Sequence, residues 1–293
     1  MYDSLFLSTQ GSNILTVLGG LDKLKDKIKQ VKYWNVCGNA SLILFFKILG
    51  YTFEQSFNTI SELKIISNTI NASSLMPEDE EERKQYIQEW LEEKLTKSKI
   101  FNSNTTLKEI YKQTDIFPAF ILWSRNKEKI FNINAEQHGD IKIVDAILAS
   151  LTALGFFTSH KIKNTLFTNI FSIDCYPYLY VYLQEKSKYF YVSVFNNINY
   201  LKIEENLGPM QDRENEIITQ FCDHNNFRLT NIIKTMNEED IIKIYCSLQR
   251  GELTNESAIS SYKSGQKQAR AFLEGRDTKL EAQKYIENIN AQT

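Results

Sequence analysis

The residues best placed to carry out chemistry lie near the N-terminus, in a stretch with the layout of a nucleophile elbow. Residues 33–37 are mostly aromatic or β-branched and predict a buried strand, residues 38–39 predict a tight turn, and residues 40–49 predict a helix apolar on nearly every side. A serine nucleophile in a G-x-S-x-G elbow sits in this context. Its position falls on Gly38 or on Ala40, depending on which neighbouring residues align it, and neither has a hydroxyl. The sequence predicts the elbow without its nucleophile.

Other catalytic motifs have no support in the sequence. The three histidines, His138, His160 and His224, form no H-E-x-x-H motif and no His/Cys cluster. We therefore expect them at the surface or in loops, and predict neither a zinc site nor a His-based triad. No glycine-rich phosphate-binding motif occurs. Asp140 is interpreted as a helix cap rather than a general base. The sequence thus predicts no metal and no cofactor.

Composition narrows the class of protein. The chain has 293 residues, of which 42% are hydrophobic, and its net charge of -2 gives no overall field that would attract nucleic acid. No apolar run is long enough to span a membrane and no signal peptide is evident at the N-terminus, so we expect no transmembrane segment. The cysteines form no C-x-x-C pair, which favours reduced thiols in the cytoplasm; they are Cys37, Cys175, Cys222 and Cys246.

The order of the elements favours an α/β fold. A strand at residues 4–7 and a helix at residues 13–27 precede the elbow, so the chain opens as β-α-β-α and indicates a parallel sheet. Further strands are predicted at residues 117–123, 127–133, 166–173, 178–183 and 189–194. Helices are predicted at residues 57–63, 77–97 with Pro77 in the first turn, and 143–151. Beyond Gly208-Pro209 we predict only helices, at residues 214–221, 238–248, 258–273 and 279–289.

Several segments have, in order, the spacing and the hydrophobic pattern of one family's motifs. LSTQGSNILTVLGGL at residues 7–21 has the layout of a strand, a glycine-rich loop and a helix; VCGNASL at residues 36–42 stands in the place of G-x-S-x-G-S-L, and GYT follows at residues 50–52. The similarity extends through TTLKEIYKQT, IVDAILASLTALGFF and SYKSGQKQARAFLE. On these residues the chain, from about residue 2 to about residue 275, resembles the patatin-like phospholipases.

This resemblance implies a Ser-Asp dyad and a glycine-rich oxyanion loop, and it assigns their positions in this chain. The serine position is Gly38, the aspartate position is Asn169, and the loop contains Thr9, Gln10 and Gly11. Gly38 cannot attack an ester, and Asn169 cannot act as a carboxylate base. Thr9 and Gln10 also add side chains where the family's loop presents bare backbone. The resemblance therefore implies a catalytically inactive pseudoenzyme rather than an enzyme.

Several functions follow from that interpretation. The favoured one is a structural or protein-interaction component that associates with itself or with a protein partner. A second is a lipid-binding module that uses the old acyl pocket without turnover. A third is a residual phospholipase or acyl hydrolase with a displaced nucleophile. For this role Ser41 is the nearby hydroxyl, although capping or helix packing is its ordinary role.

We expect an α/β, patatin-like three-layer fold with a mostly parallel central sheet, helices on both faces and a helical C-terminal extension. Residues 1–207 would form the core, residues 210–275 would pack on it, and residues 276–293 would form a polar tail. The Asn-, Ile- and Lys-rich composition suggests an AT-rich genome. The family resemblance adds that divergent patatin-like proteins occur in large cytoplasmic DNA viruses and in intracellular bacteria. Together the two favour a large DNA virus, with the protein in the host cytoplasm, the viral factory or the virion.

Overall fold

The structure is a computed structural model that describes residues 2–9, 11–62, 79–152, 158–170, 188–197, 237–247 and 254–290. The strands are β1 (Ser4–Thr9), β2 (Tyr33–Gly38), β3 (Phe117–Ser124), β4 (Lys129–Asn134), β5 (His160–Ile162), β6 (Thr165–Asn169), β7 (Tyr189–Asn197) and β8 (Ile241–Ser247). The helices are α1 (Asn13–Leu24), α2 (Ala40–Ile48), α3 (Phe53–Ser61), α4 (Glu80–Lys97), α5 (Leu107–Thr114), α6 (Ile143–Leu151), α7 (Asn255–Leu273) and α8 (Thr278–Asn290). The predicted β-α-β-α opening is confirmed.

The strands of the described ranges form one sheet in which β1 is central. β1 has β2 and β7 as parallel neighbours, β3 lies parallel to β2, and β8 lies parallel to β7. β4 and β6 are antiparallel to β3, and β5 is antiparallel to β6. Helix α1 connects β1 to β2, and helices α2 to α5 lie between β2 and β3, because parallel strands need a crossover connection. The predicted α/β fold with a mostly parallel central sheet is confirmed.

β2 and β6 lie end to end along the same side of β3. β4 pairs with residues 119–124 of β3 and so fills the opposite side. On the shared side β2 pairs with β3 as far as Phe120, and β6 takes over at Leu122. A straight continuation of β2 beyond Val36 would run into Asn169, the partner of Leu122. The chain therefore has to turn where β2 ends, directly beside the end of β6.

The two faces of the sheet differ in polarity. Side chains alternate between the faces along each strand, so Leu5 and Leu7 point to the face opposite Phe6. Leu5 and Leu7 belong to a large apolar cluster with residues of α1, α2, α6 and α7. We call this the helix-covered face. The second face has a smaller cluster that includes Phe6 and Cys37, and it also buries the polar side chains of Ser4, Ser8, Asn35 and Ser193.

Helices α1 and α7 touch backbone to backbone on the helix-covered face. A Cβ built on Gly19 would lie 1.9 Å from the carbonyl oxygen of Tyr262, and one built on Gly265 would lie 1.8 Å from that of Thr16. Real Cβ atoms do not approach other heavy atoms within 3.0 Å. Only glycine therefore fits at these two positions, and the two helices cross at the closest approach that backbones allow.

Strand β8 lies where the sequence predicted a helix at residues 238–248, so that prediction is wrong. The run IIKIYC has apolar residues at spacings that suit either element, and a tertiary contact decides between them. Gln268 of α7 accepts a hydrogen bond from the Tyr245 N–H (2.8 Å) and donates one to the Tyr245 carbonyl (3.0 Å). Its amide thus bonds the backbone of β8 in the way that a neighbouring strand would.

The starts of two helices also differ from the sequence predictions. Asp140 does not cap α6, because the carbonyl of Thr105 already accepts a bond from the first N–H of that helix, at Ile143 (3.0 Å). Asp140 pairs instead with Lys163, whose ammonium lowers the pKa of its carboxyl. Helix α4 begins at Glu80 with Asp79 as its cap. Pro77 itself lies outside the described residues.

Other sequence predictions fall at the C-terminal end or outside the described residues. Part of the expected polar tail forms helix α8, which contacts α7 and β8 and buries Ala282. Gln10, His224, the strand at residues 178–183, the helix at residues 214–221 and the boundary at Gly208-Pro209 are all outside the described ranges. Helix α7 agrees with the predicted helix at residues 258–273.

At the amino ends of the parallel strands, aromatic rings surround one lysine. The Nζ atom of Lys27 lies 5.3, 5.4 and 5.1 Å from the ring centroids of Tyr2, Phe190 and Phe272. The Tyr2 hydroxyl donates to Asp240 Oδ1 over 2.7 Å. We call these five residues the amino edge. Each cation–π contact contributes roughly 0.5–1 kcal/mol, so the paired groups here stabilise the fold.

Candidate functional site

The elbow is the turn between β2 and α2. Gly38 is the last residue of β2, has a φ of +63°, and is the Cα partner of Thr9 in the parallel ladder with β1. Other residues adopt this backbone conformation at a cost of about 1–2 kcal/mol, whereas glycine adopts it without strain. Helix α2 begins at Ala40 and is buried on nearly every side. The strand, turn and helix predicted for residues 33–49 are confirmed.

Asn39 ties the elbow to the loop that follows β1. Its N–H donates to the carbonyl oxygen of Thr9 (2.8 Å), and its Nδ2 donates to the carbonyl oxygen of Gly11 (3.2 Å). Gly11 has a φ of +51°, which lets the loop turn back towards the elbow. One residue thus bonds two carbonyls of the loop. The elbow and the loop after β1 therefore form a single unit.

Asn169 lies beside the elbow although it is distant in sequence. It ends β6 on the same side of β3 as β2, so the turn at Gly38 and the end of β6 meet. Asn169 is 5% exposed, and its N–H donates to the hydroxyl of Thr152. The structure brings together the two positions that the family resemblance assigns to a catalytic dyad, with Thr9 on the other side of Gly38.

Two buried hydroxyls at this place have no hydrogen-bond partner within the described part of the chain. They are Thr9 Oγ1 and Ser41 Oγ, on residues that are 2% and 0% exposed. Thr9 shares the strand alternation of Leu5 and Leu7, which places its side chain on the helix-covered face together with α2. Burying an unpaired hydroxyl costs about 1–3 kcal/mol. Such groups in a native fold need an explanation, and a ligand is one.

Helices α1 and α2 both begin here, and neither N-terminus receives a hydrogen bond from a capping side chain. Ser12, the residue before α1, makes no such bond. The first N–H groups of a helix carry partial positive charge and favour negatively charged groups. We call the region formed by Thr9, Gly11, Gly38, Ser41 and Asn169 the carboxyl edge.

The side chains of the carboxyl edge limit its chemistry. Gly38 offers no atom that could attack an ester. The amide of Asn169 donates and accepts hydrogen bonds, but it does not take up a proton at neutral pH. The hydroxyl of Ser41 lies in the first turn of α2, where the helix dipole stabilises negative charge. The edge therefore presents hydrogen-bond donors and positive potential, which suit an ester carbonyl or an anionic oxygen.

Sequence reasoning missed a buried histidine outside the carboxyl edge. His160 of β5 is 6% exposed, and its Nε2 lies 2.9 Å from Oδ1 of Asp145 on α6. The expectation that it lies at the surface or in a loop is wrong, because strand alternation turns both His160 and Ile162 inward. His138 is half-buried, and burial lowers its pKa. The alternation in HKI was the signal that could have placed His160.

The described ranges contain no group of three His, Cys, Asp or Glu residues arranged to hold a metal ion. The helices in those same ranges include none long and apolar enough to cross a bilayer. The acidic run at the start of α4 faces the positive end of that helix, where acidic side chains are favourable.

Solved structures provide the similarities to known proteins. The structure of VipD from Legionella pneumophila superposes with a TM-score of 0.56 and 11% identity over 94% of this chain and 67% of that chain. The type III effector protein ExoU gives a TM-score of 0.50 and 12% identity over 94% of this chain and 53% of that chain, so this chain spans about half of ExoU. No protein-family model and no curated protein sequence matches. The similarity establishes a patatin-like fold.

The similarity corrects one prediction made from the sequence. The chain was predicted not to be an enzyme, because Gly38 and Asn169 replace the dyad. Its likeness to patatin-like domains points towards an enzyme, so that prediction is wrong. The physical reason is that Gly38 and Asn169 show only that these two positions supply no nucleophile and no base. They do not exclude another nucleophile at the same edge. Ser41 presents a hydroxyl at the same edge, and the dyad positions say nothing about it.

Proposed function

We propose that this chain binds a phospholipid or a related acyl ester at its carboxyl edge and hydrolyses it. The observation that carries the proposal is the meeting of the elbow with Asn169, where β2 and β6 lie end to end in a patatin-like fold. The uncapped starts of α1 and α2 supply positive potential for the ester oxygen.

Ser41 is the nucleophile in this proposal. Its Oγ would attack the ester carbonyl carbon, the alcohol would leave, and water would then release the fatty acid from the serine. Gly38 has no side chain that could take part. The serine proton has to pass to water or to the substrate, because Asn169 cannot take it up. Losing a positioned base lowers rates by about 10²–10⁴-fold, so we expect slow turnover.

Labelling with a fluorophosphonate probe tests the proposal. The purified chain would be incubated with the probe and, separately, with mixed phospholipid vesicles, and mass spectrometry would identify labelled residues and released fatty acid. We expect label on Ser41 and slow fatty acid release. Both should disappear in Ser41→Ala.

Ser150→Ala is the matched control for that experiment. Ser150 also lies on a helix, is 0% exposed and has an Oγ with no partner in the described part of the chain. Its replacement should leave both readouts unchanged. Absence of label and of release from a folded protein would overturn the hydrolase proposal. Lipid that co-purifies without being cleaved would then identify a binding role.

Association with a protein partner or with itself stays a prediction from the sequence, as do the viral origin and the cytoplasmic location. The corner between α7 and α8 exposes two large apolar side chains, Leu273 (54%) and Leu280 (49%). Sedimentation of the full chain and of a chain lacking residues 276–293 tests self-association. A sedimentation coefficient that falls only with the mass removed would count against this segment as the contact.

A further inference from the structure

We propose that Thr152 is the positioning residue of the candidate site: its hydroxyl fixes the carboxyl end of β6 and so holds residue 169 beside the turn at Gly38. This rests on the proposed function, because it names the group that sets one side of the same site. Thr152 touches no substrate in this role. It acts through the backbone of Asn169.

The hydroxyl of Thr152 joins the end of α6 to the end of β6. It donates to the carbonyl of Ala149, in the last turn of α6 (3.1 Å), and accepts from the N–H of Asn169. Thr152 is 2% exposed and Asn169 is 5% exposed, so water does not compete for these bonds. Breaking either one would leave a buried polar group without a partner, and the two backbones are therefore fixed relative to each other.

The bond from Asn169 lies where β5 has already ended. β5 begins at His160, which pairs with Phe167, two residues before Asn169 on β6. The segment ahead of β5 is bonded elsewhere, since the N–H of Thr158 donates to a carboxylate at the start of α4 (2.6 Å). β5 thus stops short of Asn169. Thr152 supplies the acceptor that a longer β5 would have supplied.

Helix α6 holds Thr152 in place because its other end is attached to the same pair of strands. Nε2 of His160 on β5 lies 2.9 Å from Oδ1 of Asp145, in the first turn of α6. Every residue of this nine-residue helix except Asp145 is buried. The helix is therefore fixed at its start and at its end, and Thr152 presents its hydroxyl to β6 at one defined place.

The place that Thr152 fixes is the one where β6 meets the elbow. Asn169 is the Cα partner of Leu122 on β3, and β2 pairs with β3 as far as Phe120. A shift of β6 by one residue would turn the side chain of residue 169 to the opposite face of the sheet. Three residue pairs with β3 oppose such a shift, and the Thr152 bond adds to them at the very end of the strand.

Amide hydrogen exchange of the full chain tests whether Thr152 holds β6. Thr152→Val keeps the side-chain shape and removes the hydroxyl, whereas Thr152→Ser keeps the hydroxyl. Exchange at the Asn169 N–H, followed by NMR, should become about tenfold faster in Thr152→Val, because this N–H loses its acceptor. In Thr152→Ser it should match the original chain. Circular dichroism and thermal melts verify that each variant is folded.

Thr114→Val is the matched control. Thr114 is the last residue of α5, and its hydroxyl also donates to a helix carbonyl, that of Ile110 (2.8 Å), and accepts a backbone N–H, that of Ile116 (3.1 Å). It lies just before the start of β3, away from the carboxyl edge. Its replacement should therefore leave both the exchange at Asn169 and the kinetics below unchanged.

Kinetics test whether the placement of residue 169 matters for chemistry. A chain with Gly38→Ser and Asn169→Asp has a nucleophile and a base at the dyad positions, so its turnover reports where the carboxylate lies. Adding Thr152→Val should lower kcat for fatty acid release at least about tenfold and leave KM unchanged, because the base is misplaced while lipid still binds. Adding Thr152→Ser instead should leave kcat as it was.

The proposal is overturned if Thr152→Val leaves exchange at Asn169 unchanged, if it leaves kcat unchanged, or if the chain with Gly38→Ser and Asn169→Asp releases no fatty acid. These outcomes are separate from those of the hydrolase proposal, which is measured by Ser41 labelling and by release from the original chain. A labelled Ser41 with unchanged exchange would support the hydrolase alone. Faster exchange and a lower kcat without Ser41 labelling would support the positioning role alone.

Discussion

Polar groups at the two ends of the parallel strands differ in whether they have partners. At the amino edge, the Lys27 ammonium contacts three aromatic rings and the Tyr2 hydroxyl is bonded to Asp240. At the carboxyl edge, the hydroxyls of Thr9 and Ser41 are buried without a partner in the described residues. Polar groups therefore stabilise the first region and destabilise the second. Unpaired buried groups of this kind lower the stability of the free protein, and a ligand of the proposed kind would offset that cost.

The largest expected effect comes from rebuilding a dyad at the carboxyl edge. The double variant Gly38→Ser with Asn169→Asp should raise fatty acid release by about 10²-fold or more, because it supplies a nucleophile and a base on adjacent elements. The measurement is release from phospholipid vesicles. The single variants serve as controls, and each should gain much less. A folded double variant without a gain would show that the two positions do not meet as the strand register indicates.

At the amino edge, Lys27→Met should destabilise the fold by about 2 kcal/mol. The substitution keeps the apolar stem of the side chain but removes the charge that three rings surround. Urea unfolding measures the change. The control is Lys29→Met, at an exposed lysine in the same turn, which should change the free energy of unfolding by less than about 0.5 kcal/mol. Equal effects of the two variants would mean that the rings do not hold Lys27.

At the carboxyl edge, Thr9→Val should stabilise the free protein by about 1 kcal/mol, in contrast to Lys27→Met. The methyl group replaces a buried hydroxyl that has no partner in the described residues, so the desolvation cost is removed while the shape is kept. Urea unfolding in the absence of lipid measures it. A loss of stability would show that the hydroxyl is already bonded in the free protein, and the contrast between the two edges would fail.

The smallest expected effect is on the pH dependence of stability at the amino edge. Burial acts to raise the pKa of Asp240, but hydrogen bonds from Tyr2 and Asn237 and the charge of Lys188 outweigh it and hold the pKa below its usual value. The unfolded chain therefore binds this proton at higher pH than the folded chain. The contribution is present above the unfolded pKa near 4 and is lost as pH falls through the folded pKa.

Thermal melts between pH 6 and pH 3 measure this dependence. In Tyr2→Phe the carboxyl of Asp240 loses its nearest hydrogen bond, so its folded pKa should rise towards the usual value. The melting temperature of the variant should then fall less steeply below pH 4 than that of the original chain. Parallel curves would mean that Tyr2 does not act on Asp240.

The sequence was sufficient for the elements around the elbow because their patterns are local. The apolar run before Gly38, the glycine at the turn and the fully apolar α2 each indicate their structure without help from distant residues. Strand β8 could not be predicted in this way, because IIKIYC suits two periods and Gln268, far along the chain, decides between them.

The position of the candidate site was predictable from the sequence, but the hydrogen bonding of its side chains was not. Family spacing placed Gly38 and Asn169, and strand pairing brings them together. The unpaired state of the Thr9 and Ser41 hydroxyls is a result of burial by distant elements, which no local pattern contains. The prediction that the chain is not an enzyme was wrong. It rested on the groups that are lost at Gly38 and Asn169 and left out the hydroxyls beside them.

The contact between α1 and α7 has a consequence for how the chain folds. Gly19, near the N-terminus, and Gly265, near the C-terminus, meet backbone to backbone, and β1 has its second neighbour in β7. The first helix and strand thus acquire their final partners only when most of the chain has left the ribosome. Contacts between such distant segments make folding slow and expose apolar surface meanwhile. A nascent chain that ends before α7 therefore leaves the face of α1 around Gly19 uncovered.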